Sequence, residues 1–569
     1  MIQCILLFNS GSACLRQLLQ STQVWVSLAI LTAAALATID GSAQYANAHD
    51  GHGAVTYEVS EPLTEPYDKV HLRLLITDEA DEPIAARFTL SVDGKPFVPS
   101  QVGDNGLRFM SVHEGKGNRF VATYARGNGP VVVPLPKGLR GTVTAAHGFE
   151  YVSSSESFEI GNGSVDCHVR LRRWSKLANE GWQAADEHVH YDRTDRRFDA
   201  DWLKMLEADG LAHAHFLVLK GGNVPDIWAR QYAFGSAGEA GNAKQFIRSG
   251  EEYRDSSQGH INLLGLKEVI QPISTGGLVK SNTFNYPPLF DVFRAAHQQG
   301  AIGGPAHGGA LAKSSTALLD TVLGEVDFFE IANSHLYKTD VWYLLLNCGF
   351  ILPPVAGTDL PNFGYRDPWQ PLFGEVRTYV QMGSESGFEA WQAALKSGKV
   401  FVTSGPLLHF TINDLPVGSV VRLPKGGGPI DVVAELQSPR VLESLELVCM
   451  GQPVRVTATP STNDGITCLS LNHRLNITES CWLAVRGTGG PKIAIEQGLS
   501  IDQHEIAHSG IIQVLVDNQP IRSTADTASL RTRLVEQQEF YRAQGRFESP
   551  DDRRRFIELF ETAITKLEN

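Results

Sequence analysis

The sequence predicts a multidomain α/β plus β protein, in which a central (β/α) barrel is flanked by two β-sandwiches and followed by a helical hairpin. Three observations predict it. The chain has 569 residues, more than one hydrophobic core organises. Short alternating apolar runs before residue 175 and after residue 407 enclose a region where apolar strands alternate with helical segments. Beyond residue 519 two helical patterns follow, the second with its own start signal. A composition of 42% apolar and 20% charged residues is that of a folded protein and not of a disordered one.

Residues 1–48 read as a secretory signal. Arg16 is the one charged residue before the apolar stretch Val24–Ile39, and small-x-small sites follow at Gly41-Ser42-Ala43 and Ala46-Asn47-Ala48. The stretch is short for a bilayer span of about 20 residues. The mature chain is therefore expected to begin near Gln44 or His49, in the periplasm or outside the cell, with no membrane insertion after cleavage. An uncleaved anchor is the alternative. Cys167, Cys348, Cys449, Cys468 and Cys481 remain after cleavage. None forms a C-x-x-C pair, and two of the last three could pair within one β domain of an exported protein.

Residues 49–175 carry period-2 runs such as His71–Ile76, Ala86–Val92 and Val165–Leu171, which predict a sandwich of immunoglobulin-like type. In 176–406 the strands Phe216–Leu219, Asn262–Leu266, Asp327–Ile331 and Val400–Val402 lie between helices Asp199–Ala208, Leu289–Gln299 and Phe388–Ser397. That alternation predicts parallel strands and a barrel. Residues 407–518 return to β texture, as in Gly428–Ala434 and Gly510–Val516, and predict a second immunoglobulin-like sandwich. In 519–569, Ala528–Ala543 reads as a helix. Ser549-Pro550-Asp551-Asp552 starts another, with a capping Ser, Pro at the first position and acids in the first turn.

The chemistry-bearing residues cluster in the central region. In a strand, His188 and His190 aim at one point, and Asp186 is expected on the same face as an orienting group. Glu252 and His260 flank a polar stretch, His307 ends a small-residue strand, and Asp359 ends another. Residues just past barrel strands share one open face, where catalysis occurs. A net charge of −14 excludes nucleic acid as a partner. There is no G-x-S-x-G elbow, P-loop, Rossmann fingerprint or H-E-x-x-H helix.

The order Asp186-x-His188-x-His190, Gly250-Glu251-Glu252, Gly259-His260, His307 and Gly357-Thr358-Asp359 resembles the PHP superfamily, named for polymerase and histidinol phosphatase. Gly181-Trp182, Glu252-Tyr253-Arg254, Gly259–Asn262, Trp342-Tyr343, Leu346–Gly349, Arg377–Val380 and Val402–Leu407 are similar to the CehA/McbA-type metallohydrolases within it. The resemblance implies a distorted (β/α)7 barrel, with His188, His190, Glu252, His260, His307 and Asp359 as metal ligands and Glu252 bridging.

Two departures reduce the implied ion count from two or three to one or two divalent ions, of zinc, manganese or iron. The T-D-H motif after strand two is replaced at Lys220-Gly221-Gly222, and Asp359-Leu360-Pro361 lacks the histidine of D-x-H. His335 is a candidate replacement ligand. His213 and His215 precede their apolar run and lie at the wrong end of the strand. Arg254 and Lys220 are candidates for holding an oxyanion. The expected activity is metal-assisted hydrolysis of an ester, amide or carbamate in a small molecule or polymer. Phosphoester hydrolysis is the alternative, and a non-catalytic barrel binding a carbohydrate or partner is the rival.

Overall fold

The computed structural model describes residues 70–113, 117–136, 140–220, 227–255, 257–273, 284–309, 312–334, 336–360, 372–494 and 499–568. Residues 1–48, expected from sequence to be a secretory signal, lie outside the described residues, as do His335, Gly221 and Pro361. Among those described, no helix is long and apolar enough to cross a membrane.

The fold is mixed α/β with two β-rich flanks. In the first flank, strands of a three-stranded and a six-stranded sheet enclose Leu72, Leu74, Phe88, Val133, Val143 and Val169. Their inward positions alternate, which is the pattern the sequence showed. The last flank also has two sheets, with Phe410, Val432 and Leu436 of one facing Leu447, Leu483 and Val514 of the other.

The central region contains β1 (Trp182–Val189), α1 (Asp199–Ala208), β2 (His213–Lys220), β3 (Gln245–Asp255), β4 (Gly259–Leu264), α2 (Leu289–Gln298) and β5 (Ile302–Pro305). It continues through α3 (Ala317–Leu323), β6 (Phe329–Asn333), α4 (Asp340–Asn347), β7 (Pro354–Ala356), β8 (Arg377–Gln381), α5 (Phe388–Lys396) and β9 (Val400–Thr403). Hydrogen-bonded neighbours run β5-β4-β3-β2-β1-β8-β9. Beyond β9 the same sheet passes into the last flank through Leu499–Ser509.

The expectation of parallel strands closed into a barrel is corrected. β1, β2 and β3 are parallel, but β4 and β5 run antiparallel to their neighbours, and β8 is antiparallel to β1. The cause at β3–β4 is length, because three residues between Asp255 and Gly259 allow a hairpin and no crossover. β6 and β7 form a separate sheet, so no continuous ladder closes the ring among the described residues. Single bonds bridge the gaps: Asp327 N to Gly303 O at 2.8 Å, Gly308 N to Glu330 O at 2.7 Å and Asp359 N to His188 O at 2.7 Å.

Side-chain direction in the sheet decides what meets what. Ala214, Phe216 and Ile247 pack under α1 with Trp202, Met205 and Leu206. Alternate residues Leu217 and Phe246 face Leu264, Ile302, Phe328 and Val355 on the enclosed side. In register, His213↔Phe246, His215↔Arg248 and Leu219↔Glu252 share that enclosed side.

The tail forms α6 (Thr524–Gln544) and α7 (Pro550–Glu568). Ser549 Oγ accepts from Asp552 N at 3.1 Å, capping α7. Leu534, Tyr541, Phe556 and Phe560 pack with Leu318 and Val322 of α3. At the start of α3, Asp320 is fully buried and accepts from Thr316 Oγ1 at 2.8 Å. Burial pushes its carboxyl up to about 8, and Glu325 and Asp291 push it the same way. The unfolded chain ionises it near pH ~4. Its stabilising contribution is thus present below about pH 4 and is lost as pH rises towards about 8. Asp320→Asn is expected to gain stability over the wild type across that range. Urea midpoints of the two proteins that stay parallel from about pH 5 to about pH 8 would contradict this.

Candidate metal centre

β1 does not alternate throughout. Asp186 pairs with Ala214 and Val189 with Phe216, so three steps on β1 match two on β2. This bulge inserts one residue and turns Glu187, His188 and His190 inward. Asp186 instead takes the register of Ala214, away from the face the simple alternation assigned to it. Its carboxylate accepts from Thr358 N at 2.9 Å, Thr358 Oγ1 at 2.6 Å and Gly374 N at 2.9 Å. Burial pushes it up to about 6 against those bonds. It anchors the segment carrying Asp359.

That segment passes close to β1. A Cβ on Gly357 would lie 2.5 Å from the His188 Cβ, so only glycine fits. Asp359 then adopts φ 57°, as does His307 after β5. Such left-handed non-glycine residues cost about 1–3 kcal/mol each and cluster at functional sites.

His188, His190, Glu252, His307 and Asp359 converge on one point. His190 Nε2 is 3.3 Å from Glu252 Oε2 and 3.3 Å from Asp359 Oδ1. His307 Nε2 is 3.3 Å from Asp359 Oδ2 and 3.5 Å from Glu252 Oε1. His188 Nε2 is 3.5 Å from Asp359 Oδ1 and 3.9 Å from Glu252 Oε1. These separations exceed ordinary N–H···O distances. They match donors around a common ion, because tetrahedral zinc with bonds of about 2.0–2.1 Å sets its ligands about 3.3 Å apart. Each carboxylate turns its two oxygens to different imidazoles, which accommodates one ion or two. His188 Nε2 and Glu252 Oε2 are buried, and no ordinary hydrogen bond fills them. The donor set therefore fits a divalent cation.

Neighbours fix the imidazoles. His188 Nδ1 lies 2.9 Å from Glu330 Oε1, and His190 Nδ1 lies 2.8 Å from Leu217 O. Both rings so carry their proton on Nδ1 and present Nε2. Glu330 Oε2 also accepts from His307 N at 2.5 Å. The sequence reading passed over Glu330, the one acid within the apolar strand Phe329–Asn333, and that isolation was the signal. Asn262, with its amide 3.1 Å from His188 Nδ1, was also passed over as a site residue.

Electrostatics favour a cation. Burial alone would lower His188, but Glu330 and Asp359 hold it well above its ordinary value. Burial alone would raise Glu252, yet His260, His188 and His190 hold it well below. Imidazoles paired with ionised carboxylates suit a cation, whose binding displaces protons from such ligands.

His260 adjoins the cluster through Nδ1, 3.0 Å from Glu252 Oε1, with its ring 5.2 Å from that of His307. Burial and then Arg254 push it down to about 4. Arg254 is buried, its Nε 3.9 Å from Glu252 Oε2. Lys220 is half-buried at the end of β2, one residue past Leu219, the partner of Glu252. His213 and His215 stay outside the cluster. His215 Nδ1 meets Glu187 Oε2 at 2.6 Å, and His213 bonds the Gln183 amide. Gln183 borders a cavity of about 550 Å³ at the start of β1 and β2, away from the converging groups.

No family model matches the chain, and no curated protein matches it. Among solved structures it is similar to PsfC from Pseudomonas syringae PB-5123, at 14% identity over 38% of this chain and 88% of that one, with a TM-score of 0.24. It is also similar to the novel lesion-specific endonuclease PfuEndoQ from Pyrococcus furiosus, at 16% identity over 38% of this chain and 56% of that one, again with a TM-score of 0.24.

Proposed function

We propose that the chain is an exported metal-dependent hydrolase of the PHP type, acting on an ester, amide or carbamate bond of a small molecule or polymer. Its site then lies where the separate β6–β7 sheet is tied to β5 and β1 by single hydrogen bonds. The observation that carries the reading is the convergence of three imidazole Nε2 atoms on both oxygens of Glu252 and Asp359 at 3.3–3.9 Å.

A bound divalent ion supplies a more acidic water and a Lewis-acid contact for the scissile group. The protein supplies the rest. Glu330 and the Leu217 carbonyl hold protons at Nδ1 of His188 and His190. Asp186 keeps Thr358, and with it Asp359, against β1. Arg254 offers a buried positive charge beside Glu252 for the oxygen that gains charge.

Metal-reconstituted protein is expected to turn over at least one substrate in chromogenic ester, amide and carbamate panels, and to lose that turnover with chelator. A stoichiometrically loaded protein inactive on these panels and on phosphoesters would leave only a binding role. Lys220 stands where a further ligand is expected and brings positive charge. The five converging side chains suffice for one or two ions, at about three protein ligands each. At most two tightly bound ions per chain are therefore expected.

A further inference from the structure

The last flank holds two thiols side by side. Strand Leu442–Cys449 pairs antiparallel with strand Cys481–Ala494 in the register Cys449↔Leu483. The Met450 amide extends the ladder to the Trp482 carbonyl at 3.2 Å. Residues two apart on a strand share a face, so Cys481 lies diagonally across from Cys449 on the same side. There the two thiols are neighbours, both packed against the core between the two sheets of this flank.

The other cysteines are elsewhere. Cys468 belongs to the opposite sheet, on Ile466–Ile477, and contacts Ser470 Oγ at 3.4 Å. Cys348 follows α4, and Cys167 lies in the first flank. All five are free thiols.

We propose that Cys449 and Cys481 are a redox-active dithiol, a modification site that takes a disulfide-bearing oxidant and closes to an intramolecular disulfide. The two positions divide the work. Cys449 is half-buried and reachable, whereas Cys481 is 6% exposed. The reachable Cys449 is thus the attacking thiol.

Its sulfur attacks one sulfur of the oxidant, giving a mixed disulfide on Cys449, and the first oxidant thiolate leaves and takes up a proton. Cys481 then gives up its proton and attacks Cys449 Sγ, expelling the second oxidant thiol. Two electrons and two protons pass from the cysteines to the oxidant, which is reduced to two thiols. The bond staples the strand bearing Trp482, whose indole donates to Asn347 Oδ1 at 2.8 Å, to the strand ending at Cys449. It therefore fixes the seat of α4 on the last flank.

The test uses the full chain, reduced, exposed to oxidised glutathione, alkylated and mapped by mass spectrometry. The expected product is a Cys449–Cys481 cross-link, with Cys167, Cys348 and Cys468 alkylated and a higher unfolding temperature than the reduced form. In Cys481→Ala one glutathione is expected to remain on Cys449, whereas Cys449→Ala is expected to carry none on Cys481. Alkylation of both residues in the oxidised wild type, or a cross-link from either one to another cysteine, overturns the proposal. So does glutathione on Cys481 in Cys449→Ala.

Discussion

Asp359→Ala and His188→Ala are each expected to abolish metal-dependent hydrolysis, while His213→Ala leaves most of it. Asp359 faces His188 and His190 with Oδ1 and His307 with Oδ2, so its loss removes donors from every side of the centre at once. His188 is the imidazole that Glu330 orients. Loss of a direct ligand should exceed the roughly 10–100-fold typical of losing an outer partner. His213 bonds Gln183 and stacks on Phe246 at 3.9 Å, at the far end of β2. Its replacement costs packing and leaves the centre intact. Turnover measured after loading each variant with the same metal checks the contrast. Wild-type turnover by Asp359→Ala would remove the basis of the mechanism.

Glu330→Ala is expected to weaken metal binding by about 10–100-fold, equivalent to about 1.4–2.7 kcal/mol. Two contacts disappear together: the one that keeps the His188 proton on Nδ1, and the one that holds the strained backbone of His307. Glu330→Gln retains a carbonyl oxygen for one of them and should recover part of the affinity. Competition titration with a chromophoric chelator separates the three proteins. Equal affinities would show that Glu330 only fills space.

Much of the organisation was legible because it depends on local period. The inward alternation of Val70–Thr77 and Ala85–Val92, and the Ser549 cap of α7, follow from residues adjacent in sequence. What escaped was non-local. Gln245–Asp255 carries two glutamates and two arginines and was not among the strands the sequence predicts, yet it is a strand buried almost throughout. Its charges are accommodated by partners from other segments, such as Arg248 with Glu239 and Glu251 with the Ile270 amide. The bulge in β1 was equally hidden. Period-2 reasoning grouped Asp186 with His188, and one inserted residue separates them. Glu330 was invisible for a similar reason, since its meaning comes from His188 and His307 on other strands.

His188, His190, Glu252, His307 and Asp359 are expected to form one cation site. The most direct measurement is an anomalous-scattering map of metal-soaked crystals, paired with elemental analysis of the same protein. The expected result is one or two ions, each within about 2.0–2.2 Å of a subset of these side chains if zinc is bound, and substoichiometric metal in Asp359→Ala. Three ions per chain, or stoichiometric metal bound elsewhere while these groups stay empty, would contradict it.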